Sequence, residues 1–594
     1  MFTEGGILFP NQPIERGDAR MVIHPPGYSI LMAILYGADA SSGSNTRLKV
    51  LQVISDSLAA LLVFFIAMEL FPITVAGIAG LLVALSPHLA YYSLWLSPDS
   101  LSVIPTLLAV FLIIRAIRRP RFVTVVFAGI CLGLSCWLRS NAMLLAPFLA
   151  VVTFFFFERS KRLLYPAVLV GAMIVVISPI TIRNLVLFNR FIPLSIGAGL
   201  NMVEGIADYD TEKRFGMPQY DEDVKLKDAE WHNRPDYAGN NWAPDGVERD
   251  QARMARGLEV IRSNPGWFLK VMAKRAAFML TYNDSNSSDW PFNTARVPLV
   301  SAEPGFYHDL ASSDAVEVWS ASPAEMLDGG TVLSPNGNVH VASDKDQVQI
   351  AGDHSTFGDQ FASAPISVKE NTDYLLAITV LSLQGPMAAK VTGADRRIAL
   401  ASGIISDPLK EAQRESRRRE RAARRDKPME DDERRTPGMI EIPFSSGDRS
   451  QVLIAISNNG ASDRPPVVEL GRARLVEFGP TPYTWTGGAR ALVRAIQKNL
   501  YVARYIVPLI LAGIILMSLA RRGRALVLLL AVPLYYLLVQ SALHTEYRYI
   551  LAIHYFLFVI ASVTLYLLGS SLARGTYLSI KSVKRLSGTR RKLH

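Results

Sequence analysis

The sequence predicts a multi-span α-helical membrane protein with about nine transmembrane helices and a large extracytoplasmic insert that contains an antiparallel β-sandwich. Three observations lead to this prediction. Hydrophobic residues make up 50% of the 594-residue chain and the mean hydropathy is +0.22, as is typical of proteins that cross the bilayer several times. Apolar segments of spanning length stand on both sides of one long polar region. Basic residues cluster in short loops on one predicted side of these segments.

The apolar segments form two groups, one before the polar region and one after it. They cover residues 50–70, 74–92, 101–117, 122–138, 143–157, 163–182, 505–520, 525–542 and 549–568. In chain order we expect an extracytoplasmic entry segment (1–49), transmembrane helices (50–182), a mostly helical extracytoplasmic segment (183–300), the β-sandwich (301–480), further transmembrane helices (481–570) and a basic cytoplasmic tail (571–594).

Four clusters of basic residues predict the orientation. With the spans above, the loops 115–121, 159–162 and 521–524 and the tail 574–592 all lie on one side. The positive-inside rule makes that side the cytoplasm, so the polar region is expected on the outer face of the cell (inner) membrane. The net charge of +10 is then explained by cytoplasmic loops. Since no nucleic-acid-binding module is visible, we expect the lipid bilayer as a partner and no nucleic acid.

The first part of the polar region is predicted to be helical. Asp245 is a candidate cap for a helix that runs to Arg262, and Asn-Pro-Gly ends that helix. The amphipathic stretch WFLKVMAKRAAFML follows, and its basic positions Lys270, Lys274 and Arg275 suit a lipid headgroup layer. We therefore expect this second helix to lie on the membrane surface.

The second part of the polar region is predicted to form strands. Runs rich in β-branched and aromatic residues, such as 374–381, 440–444 and 451–456, are separated by turn signals such as Asn-Asn-Gly. This pattern is typical of an antiparallel β-sandwich. The run 407–437 interrupts it and has 20 charged residues among its 31, which predicts a solvated helix or disordered loop.

Polar residues mark four points where the chain reaches the predicted outer face. His24 begins the segment HPPGY, whose two prolines hold an extended entry to an apolar helix. Asp99 lies at the end of a span, and Arg139 with Asn141 separates two other spans. The segment HTEYR, residues 544–548, joins the last two spans. We expect these four points to line one site.

Each of these residue types also has a plainer interpretation. Ser97-Pro98-Asp99 would make a good helix N-terminus, so Asp99 is either a cap or a functional acid. Arg139 could place its charge in the headgroup region or bind a phosphate. Arg548 is the stronger candidate, because ionisable residues at a membrane boundary are often functional and the guanidinium fork matches a phosphate.

Four motifs occur in an order that resembles a known family. They are HPPGY, LSPHLAYYSLWLSPDSL, SPITIRNLVLFNRFIPLS and HTEYRYILAIHYFLF. Together they resemble membrane glycosyltransferases of the GT-C type, in particular the protein O-mannosyltransferase and aminoarabinose-transferase-like enzymes (glycosyltransferase family 39 and relatives). The resemblance covers the membrane segments and the exit after 182, and it does not cover the β-sandwich.

The resemblance implies transfer of a sugar from a polyprenyl-phosphate-linked donor to a glycan, lipid or protein acceptor on the extracytoplasmic face. Such chemistry needs a carboxylate to accept a proton and cations to steady the leaving phosphate. Asp99 matches the second family acid and is the candidate catalytic residue. Some members of the family bind a divalent metal, so a metal ion is a candidate cofactor here, with unknown ligands. The candidate substrate-binding residues are His24, Arg139, Asn141, His544, Glu546 and Arg548.

The sequence also departs from the family pattern. The principal family acid precedes the HPPGY-like motif, and the surroundings of Glu4, Glu15 and Asp18 do not fit it. We therefore expect a further span with this acid to precede Met1, and the chain as given could be inactive. Two alternatives stay open: an inactive membrane anchor for a glycan-binding β-sandwich, and a transporter. The sequence shows no inverted repeat of the kind that many transporters carry.

The predicted orientation can be tested by cysteine labelling in intact cells. A membrane-impermeant thiol reagent should label a cysteine placed within 407–437 and should not label one placed at Ser587, because the first lies outside and the second inside. The unsubstituted chain, with only Cys131 and Cys136, serves as the background control. The reverse labelling pattern would contradict the orientation.

Overall fold

The computed structural model describes residues 19–36, 46–282 and 465–589 without interruption, with side chains as far as residue 571. It describes 297–458 except for 302–303, 311–314, 334–338, 345–346, 354–357, 386, 395–398 and 406–437. The predicted charged insertion 407–437 and the candidate acids before residue 19 lie outside the described residues. The chain divides into two compact units, one made of Met1–Leu299 with Ala495–His594 and the other of Val300–Arg494.

The helices are numbered in chain order. They are α1 (Gly27–Tyr36), α2 (Thr46–Leu70), α3 (Ile73–Ala84), α4 (Pro87–Ser93), α5 (Asp99–Arg118), α6 (Phe122–Leu138), α7 (Leu145–Phe154), α8 (Leu164–Phe188), α9 (Ala198–Ala207), α10 (Asp221–His232), α11 (Gly246–Ser263), α12 (Pro265–Phe278), α13 (Pro323–Leu327), α14 (Gly487–Leu500), α15 (Ala503–Leu519), α16 (Gly523–Ser541) and α17 (Leu551–Thr589). Short 3-10 turns include Ser140–Ala142 and Tyr547–Ile550.

The membrane helices confirm the predicted fold class. By length and composition, five stretches of the described residues could each cross a membrane: α2, α5, α8, α16 and Tyr547–Ser571. Two bent pairs, α3 with α4 at 53° and Thr484–Leu500 with α15 at 71°, raise the number to as many as seven. The predicted spans 122–138 and 143–157 correspond to the shorter apolar helices α6 and α7. The total of nine transmembrane helices therefore stays a prediction.

Side chains from the last third of the chain donate hydrogen bonds to backbone carbonyl groups at the break between α3 and α4. Backbone carbonyl groups released by a broken helix need partners when no water is at hand. The Gln497 side-chain amide donates to the carbonyl oxygen of Leu85 at 3.1 Å, and the Tyr501 hydroxyl donates to that of Leu82. These bonds join the two groups of membrane helices and explain why the bend at Pro87 is tolerated.

Glycines hold α6 close against α8. A Cβ atom on Gly129 would lie 2.4 Å from the carbonyl oxygen of Leu169, and one on Gly133 would lie 2.5 Å from Cβ of Val176. Spacing of small residues by four positions lets two helix backbones approach closely in a bilayer. This contact fixes the position of α6 and therefore of Arg139, which directly follows its last residue.

The second unit is an antiparallel β-sandwich, as predicted. Its strands are β1 (Val316–Ala321), β2 (Thr331–Val332), β3 (His340–Asp344), β4 (Gln347–Ala351), β5 (Gly358–Ala362), β6 (Ile366–Ser367), β7 (Thr372–Gln384), β8 (Met387–Gly393), β9 (Ala399–Ile404), β10 (Met439–Ser445), β11 (Gln451–Asn458) and β12 (Val467–Pro480). One sheet has the order β10-β7-β12-β4-β3 with β1 also on β12, and the other has β2-β5-β11-β8-β9 with β6 also on β11. Side chains from both sheets, such as Ile378, Val391 and Ile454, share one hydrophobic core.

Two local predictions in the helical segment are wrong. Asp245 has a left-handed backbone (φ 57°) and makes no cap bond to α11; its carboxylate instead accepts a hydrogen bond from the Tyr237 hydroxyl at 2.8 Å. Arg275 does not face a headgroup layer, because it is fully buried and donates to the carbonyl oxygens of Ser541 and Gly205. An amphipathic pattern indicates where the basic residues of a helix lie on its surface. It does not distinguish a cation that faces lipid headgroups from a buried cation that donates hydrogen bonds to the carbonyl oxygens at the C-termini of other helices.

Candidate active site

Three helix ends place the central side chains of the candidate site. Asp99 is the first residue of α5, where a carboxylate also suits the positive end of the helix dipole. Arg139 directly follows α6, and its extended backbone (φ −145°, ψ 125°) ends that helix. Tyr549 lies in the 3-10 turn that precedes α17. Polar residues at these ends interrupt apolar helices, as the sequence predicted.

Asp99 and Arg139 form a buried ion pair. Nε and Nη2 of Arg139 both lie 2.6 Å from Oδ1 of Asp99. The Asp99 side chain is only 2% exposed, whereas that of Arg139 is 16% exposed. Asp99 makes no helix-capping bond, because Pro98 occupies the cap position and the carboxylate faces Arg139. The plainer interpretation of Asp99 as a helix cap is therefore wrong.

The second carboxylate oxygen of Asp99 has no hydrogen-bond partner among the described residues. This atom, Oδ2, is buried. A buried carboxylate oxygen without a donor carries a desolvation cost, so such an atom is a candidate for contact with a ligand hydroxyl. The Asp99 carboxylate is thus held by one oxygen and has the other available.

A second ion pair lies beside the first. Nη2 of Arg548 lies 2.9 Å from Oε1 of Glu546, and Nε of Arg548 also contacts that carboxylate. The two side chains are 26% and 30% exposed, so this pair is more open than the Asp99–Arg139 pair. The Arg548 guanidinium also lies 5.8 Å from the ring centre of Trp95.

Tyr549 joins the two ion pairs. Its ring centre lies 4.6 Å from the guanidinium carbon of Arg139 and 5.2 Å from that of Arg548, which are cation–π distances. The side-chain amide of Asn141 donates to the carbonyl oxygen of Tyr549 at 3.4 Å. We call Asp99, Arg139, Glu546, Arg548 and Tyr549 the paired-charge site. Within the described part of the chain, Asn141 contacts this site through the backbone of Tyr549.

His24 belongs to the same neighbourhood. Burial lowers the pKa of His24, and the positive charges of Arg139 and Arg548 lower it further, while Asp99 has the opposite effect. The charges of Arg139, Arg548 and Asp99 all act on His24, so it shares the electrostatic environment of the two ion pairs. His24 is therefore neutral near pH 7 and can both donate and accept a hydrogen bond.

His544 lies in a second cluster. Its Nδ1 is 2.8 Å from Oδ2 of Asp208, and its backbone N–H donates to the carbonyl oxygen of Asn201 at 2.8 Å. Nη2 of Arg275 lies 3.9 Å from the same Asp208 oxygen. We call Glu204, Asp208, Arg275 and His544 the acid–histidine cluster. The structure therefore brings His24, Arg139, Glu546 and Arg548 around Asp99, whereas the His544 side chain contacts Asp208 instead.

The acid–histidine cluster shifts two pKa values upward. Burial disfavours a charged His544, but the hydrogen bond and charge of Asp208, with Glu204 and Glu546, outweigh burial and raise the pKa of His544. Burial raises the pKa of Glu204 to about 8. A protonated Glu204 is therefore favoured at neutral pH.

Sequence reasoning missed several members of these clusters. From the sequence, Tyr549 is interpreted as a member of an aromatic belt at the membrane interface. No local pattern indicates that its ring contacts two guanidinium groups. Asp208 and His544 are 336 residues apart, so a single sequence carries no signal of their contact. A buried Gly205, whose Cβ would lie 2.5 Å from the backbone nitrogen of His544, brings α9 against this loop.

The residues that the structure describes do not fit a divalent metal ion. Among them, no group of three or more His, Cys, Asp or Glu residues is arranged so that it could hold a metal ion. Asp99 offers one available oxygen, but the Arg139 guanidinium contacts its other oxygen and would repel a metal cation. The metal ion expected from the family resemblance therefore has no donor set in this part of the chain.

The Glu204 carboxyl predicts a pH-dependent stability. Its folded pKa of about 8 exceeds the ordinary value of 4.5, so its contribution is fully present below pH 4.5 and is lost as the pH rises through 8. Glu204→Gln mimics the protonated form and should reduce the fall in melting temperature between pH 5 and pH 9. Glu212→Gln, at a side chain that is 77% exposed, is the matched control. An unchanged pH dependence in Glu204→Gln would contradict this assignment.

Comparison with known proteins supports the family resemblance. The family model described as dolichyl-phosphate-mannose-protein mannosyltransferase matches residues 23–182, which include His24, Asp99, Arg139 and Asn141. No curated protein matches the chain. Among solved structures, the archaeal oligosaccharyltransferase AglB from Archaeoglobus fulgidus, in complex with an inhibitory peptide and a dolichol-phosphate, is 19% identical. That alignment covers 44% of this chain and 34% of that one, with a TM-score of 0.26.

Two other solved structures show similar partial alignments. The Archaeoglobus fulgidus oligosaccharyltransferase complex with Zn and sulfate is 18% identical over 43% of this chain and 34% of that one, with a TM-score of 0.24. Arabinosyltransferase EmbB from Mycobacterium smegmatis is 11% identical over 75% of this chain and 59% of that one, with a TM-score of 0.21. This chain therefore spans about a third of the oligosaccharyltransferase length. The predicted resemblance to GT-C type membrane glycosyltransferases is confirmed by the family match over residues 23–182.

Proposed function

We propose that this protein is a membrane glycosyltransferase that transfers a sugar from a polyprenyl-phosphate-linked donor to an acceptor hydroxyl group. The paired-charge site is where we place the reaction. The observation that supports this most directly is the buried carboxylate of Asp99. Arg139 contacts its Oδ1 atom, and its Oδ2 atom has no hydrogen-bond partner among the described residues. The family match covers both residues.

The donor phosphate is assigned to Arg548, with Arg139 and neutral His24 close by. A guanidinium stays charged at every working pH and presents several donors in a fixed fork that suits phosphate oxygens. Arg548 is more open than Arg139 and stands at the start of a membrane-spanning stretch, where a lipid phosphate would be found. Glu546 contacts one edge of this guanidinium, which orients the fork before the phosphate binds.

In the reaction, the acceptor oxygen forms a bond to the anomeric carbon of the donor sugar. The bond between that carbon and the phosphate oxygen breaks, and its electron pair stays on the phosphate, where guanidinium groups stabilise the charge. The hydroxyl proton passes to Oδ2 of Asp99, the oxygen that Arg139 leaves available. Arg139 acts by holding this carboxylate in position.

The location of the reaction follows from the basic loops of the sequence. We assign the paired-charge site and the β-sandwich to the extracytoplasmic side, with the basic tail in the cytoplasm. The sandwich, within the predicted domain 301–480, is then available to meet an acceptor in the cell envelope. The acceptor class is a glycan, a lipid or a protein that presents a free hydroxyl group.

Substitutions at Arg548 test the donor assignment. With purified protein in lipid vesicles and a radiolabelled polyprenyl-phosphate sugar, Arg548→Ala should lower the rate of transfer by about 10²–10³, because an oriented donor to the leaving phosphate is lost. Arg548→Lys should keep part of the rate, since the charge stays but the fork is lost. Arg159→Ala, in a predicted cytoplasmic loop, is the control and should keep the parent rate.

The same assay separates the two roles of Asp99. Asp99→Asn has nearly the same shape, so loss of transfer with unchanged insertion and donor binding would support a proton acceptor. If the parent chain binds the lipid donor but forms no product with any acceptor, an inactive anchor is favoured. If Asp99→Asn and Arg548→Ala both transfer sugar at the parent rate, the paired-charge site is not the active site.

A further inference from the structure

A cavity in the helical segment lies apart from both charged clusters. It has a volume of about 340 Å³ and lies among α10, α11 and the loop before α10. This size is at the lower end of small-molecule sites, which suits a single sugar residue. Its lining combines an apolar wall with polar side chains: Phe215, Met217, Trp231, Arg256, Ser263 and Asn264.

Arg256 differs from the arginines that precede it on the same helix. Arg249 and Arg253 are fully buried, and both pair with the carboxylate of Asp228. Among the described residues no carboxylate pairs with Arg256, and its buried Nε atom has no hydrogen-bond partner. A cation that is partly desolvated and unpaired favours an anionic ligand.

Trp231 fixes the Arg256 guanidinium. The guanidinium carbon lies 4.6 Å from the ring centre of Trp231, a cation–π distance that orients the fork without using its hydrogen-bond donors. An arginine held by stacking keeps its N–H groups for a ligand, and less entropy is lost when that ligand binds. The cavity therefore presents a preorganised anion-binding group.

Phe215, another lining residue, is also held in place by its neighbours. The Phe215 ring lies 4.8 Å from the ring of Trp267, nearly edge to face, and the Arg214 guanidinium is 5.0 Å from Phe215. Aromatic rings placed in this way give apolar surface that can cover the C–H face of a sugar ring. Phe215 is thus held in place from outside the cavity.

The remaining polar groups suit hydroxyl groups. Ser263 and Asn264 can each donate and accept hydrogen bonds, and the exposed Glu259 also lines the cavity and accepts them only. Glu259 would repel a ligand that carries several negative charges, but it can accept hydrogen bonds from sugar hydroxyls. A ligand with one negative group near Arg256 and several hydroxyls elsewhere satisfies the whole lining.

We propose that this cavity is a binding site for one sugar residue that carries a single anionic group, either a carboxylate or a phosphate. The anionic group contacts the Arg256 guanidinium, the ring packs against Trp231 and Phe215, and the hydroxyls face Ser263 and Asn264. Binding at this site requires no transferase activity. The test of this proposal is therefore independent of the test of the reaction at the paired-charge site.

Titration of the purified protein with simple sugars tests this site. By calorimetry or ligand-observed NMR, sodium glucuronate or glucose 6-phosphate should bind saturably, and the tighter of the two identifies the anionic group. Glucose, sodium acetate and inorganic phosphate should bind at least about tenfold more weakly, because each offers only part of the contacts. Arg256→Gln should weaken the preferred sugar about tenfold or more, as expected for a charged hydrogen-bond pair.

Two further variants keep the test decisive. Asn264→Asp adds a negative charge to the cavity without changing its shape, and aspartate also suits the start of α12, so it should fold and bind the anionic sugar more weakly. Arg262→Gln, at an exposed position of α11, is the matched control and should bind as the parent does. The proposal is overturned if neither anionic sugar saturates, if glucose or the small anions bind equally well, or if the folded Arg256 and Asn264 variants bind like the parent.

Discussion

The buried ion pair between Asp99 and Arg139 is the contact on which the arrangement of the candidate site depends. A carboxylate that is 2% exposed is stable only while its partner is held in place, and breaking such a pair typically costs about 3–5 kcal/mol. The partner is held because α6 packs tightly on α8 through Gly129 and Gly133. The ion pair therefore ties the N-terminus of α5 to the C-terminus of α6, and Tyr549 adds the start of the last span.

The charges around this pair are balanced in a way that suits a phosphate ligand. Arg548 has Glu546 and Arg139 has Asp99, so both guanidinium groups of the paired-charge site already have an oriented acid beside them. Groups that are oriented before the ligand binds need little reorganisation during a reaction. The acid–histidine cluster holds Glu204, whose carboxyl favours its protonated form at neutral pH, and this limits the negative charge beside Asp208.

Local patterns predicted much of the fold but few of its contacts. Apolar runs predicted the membrane helices, and alternating β-rich runs predicted the sandwich, because burial in a bilayer or a sheet core leaves a local trace. Polar residues at the helix ends predicted Asp99, Arg139 and Arg548 as candidates. These residues were expected to line one site, but their individual ion pairs were not predicted, since the Asp99–Arg139 pair spans 40 residues and the Asp208–His544 pair spans 336. Arg275 shows the same limit, because its buried acceptors are backbone carbonyls distant in sequence.

Photo-crosslinking with a polyprenyl phosphate tests most directly whether the paired-charge site binds the lipid donor. The full chain in lipid vesicles would be irradiated with a polyprenyl phosphate that carries a photoreactive group next to the phosphate, and the labelled peptides would be identified by mass spectrometry. The account predicts labels within 91–99, 139–142 and 544–550, competition by unlabelled polyprenyl phosphate, and loss of label in Arg548→Ala. Labels confined to the β-sandwich or to the predicted cytoplasmic loops would contradict it.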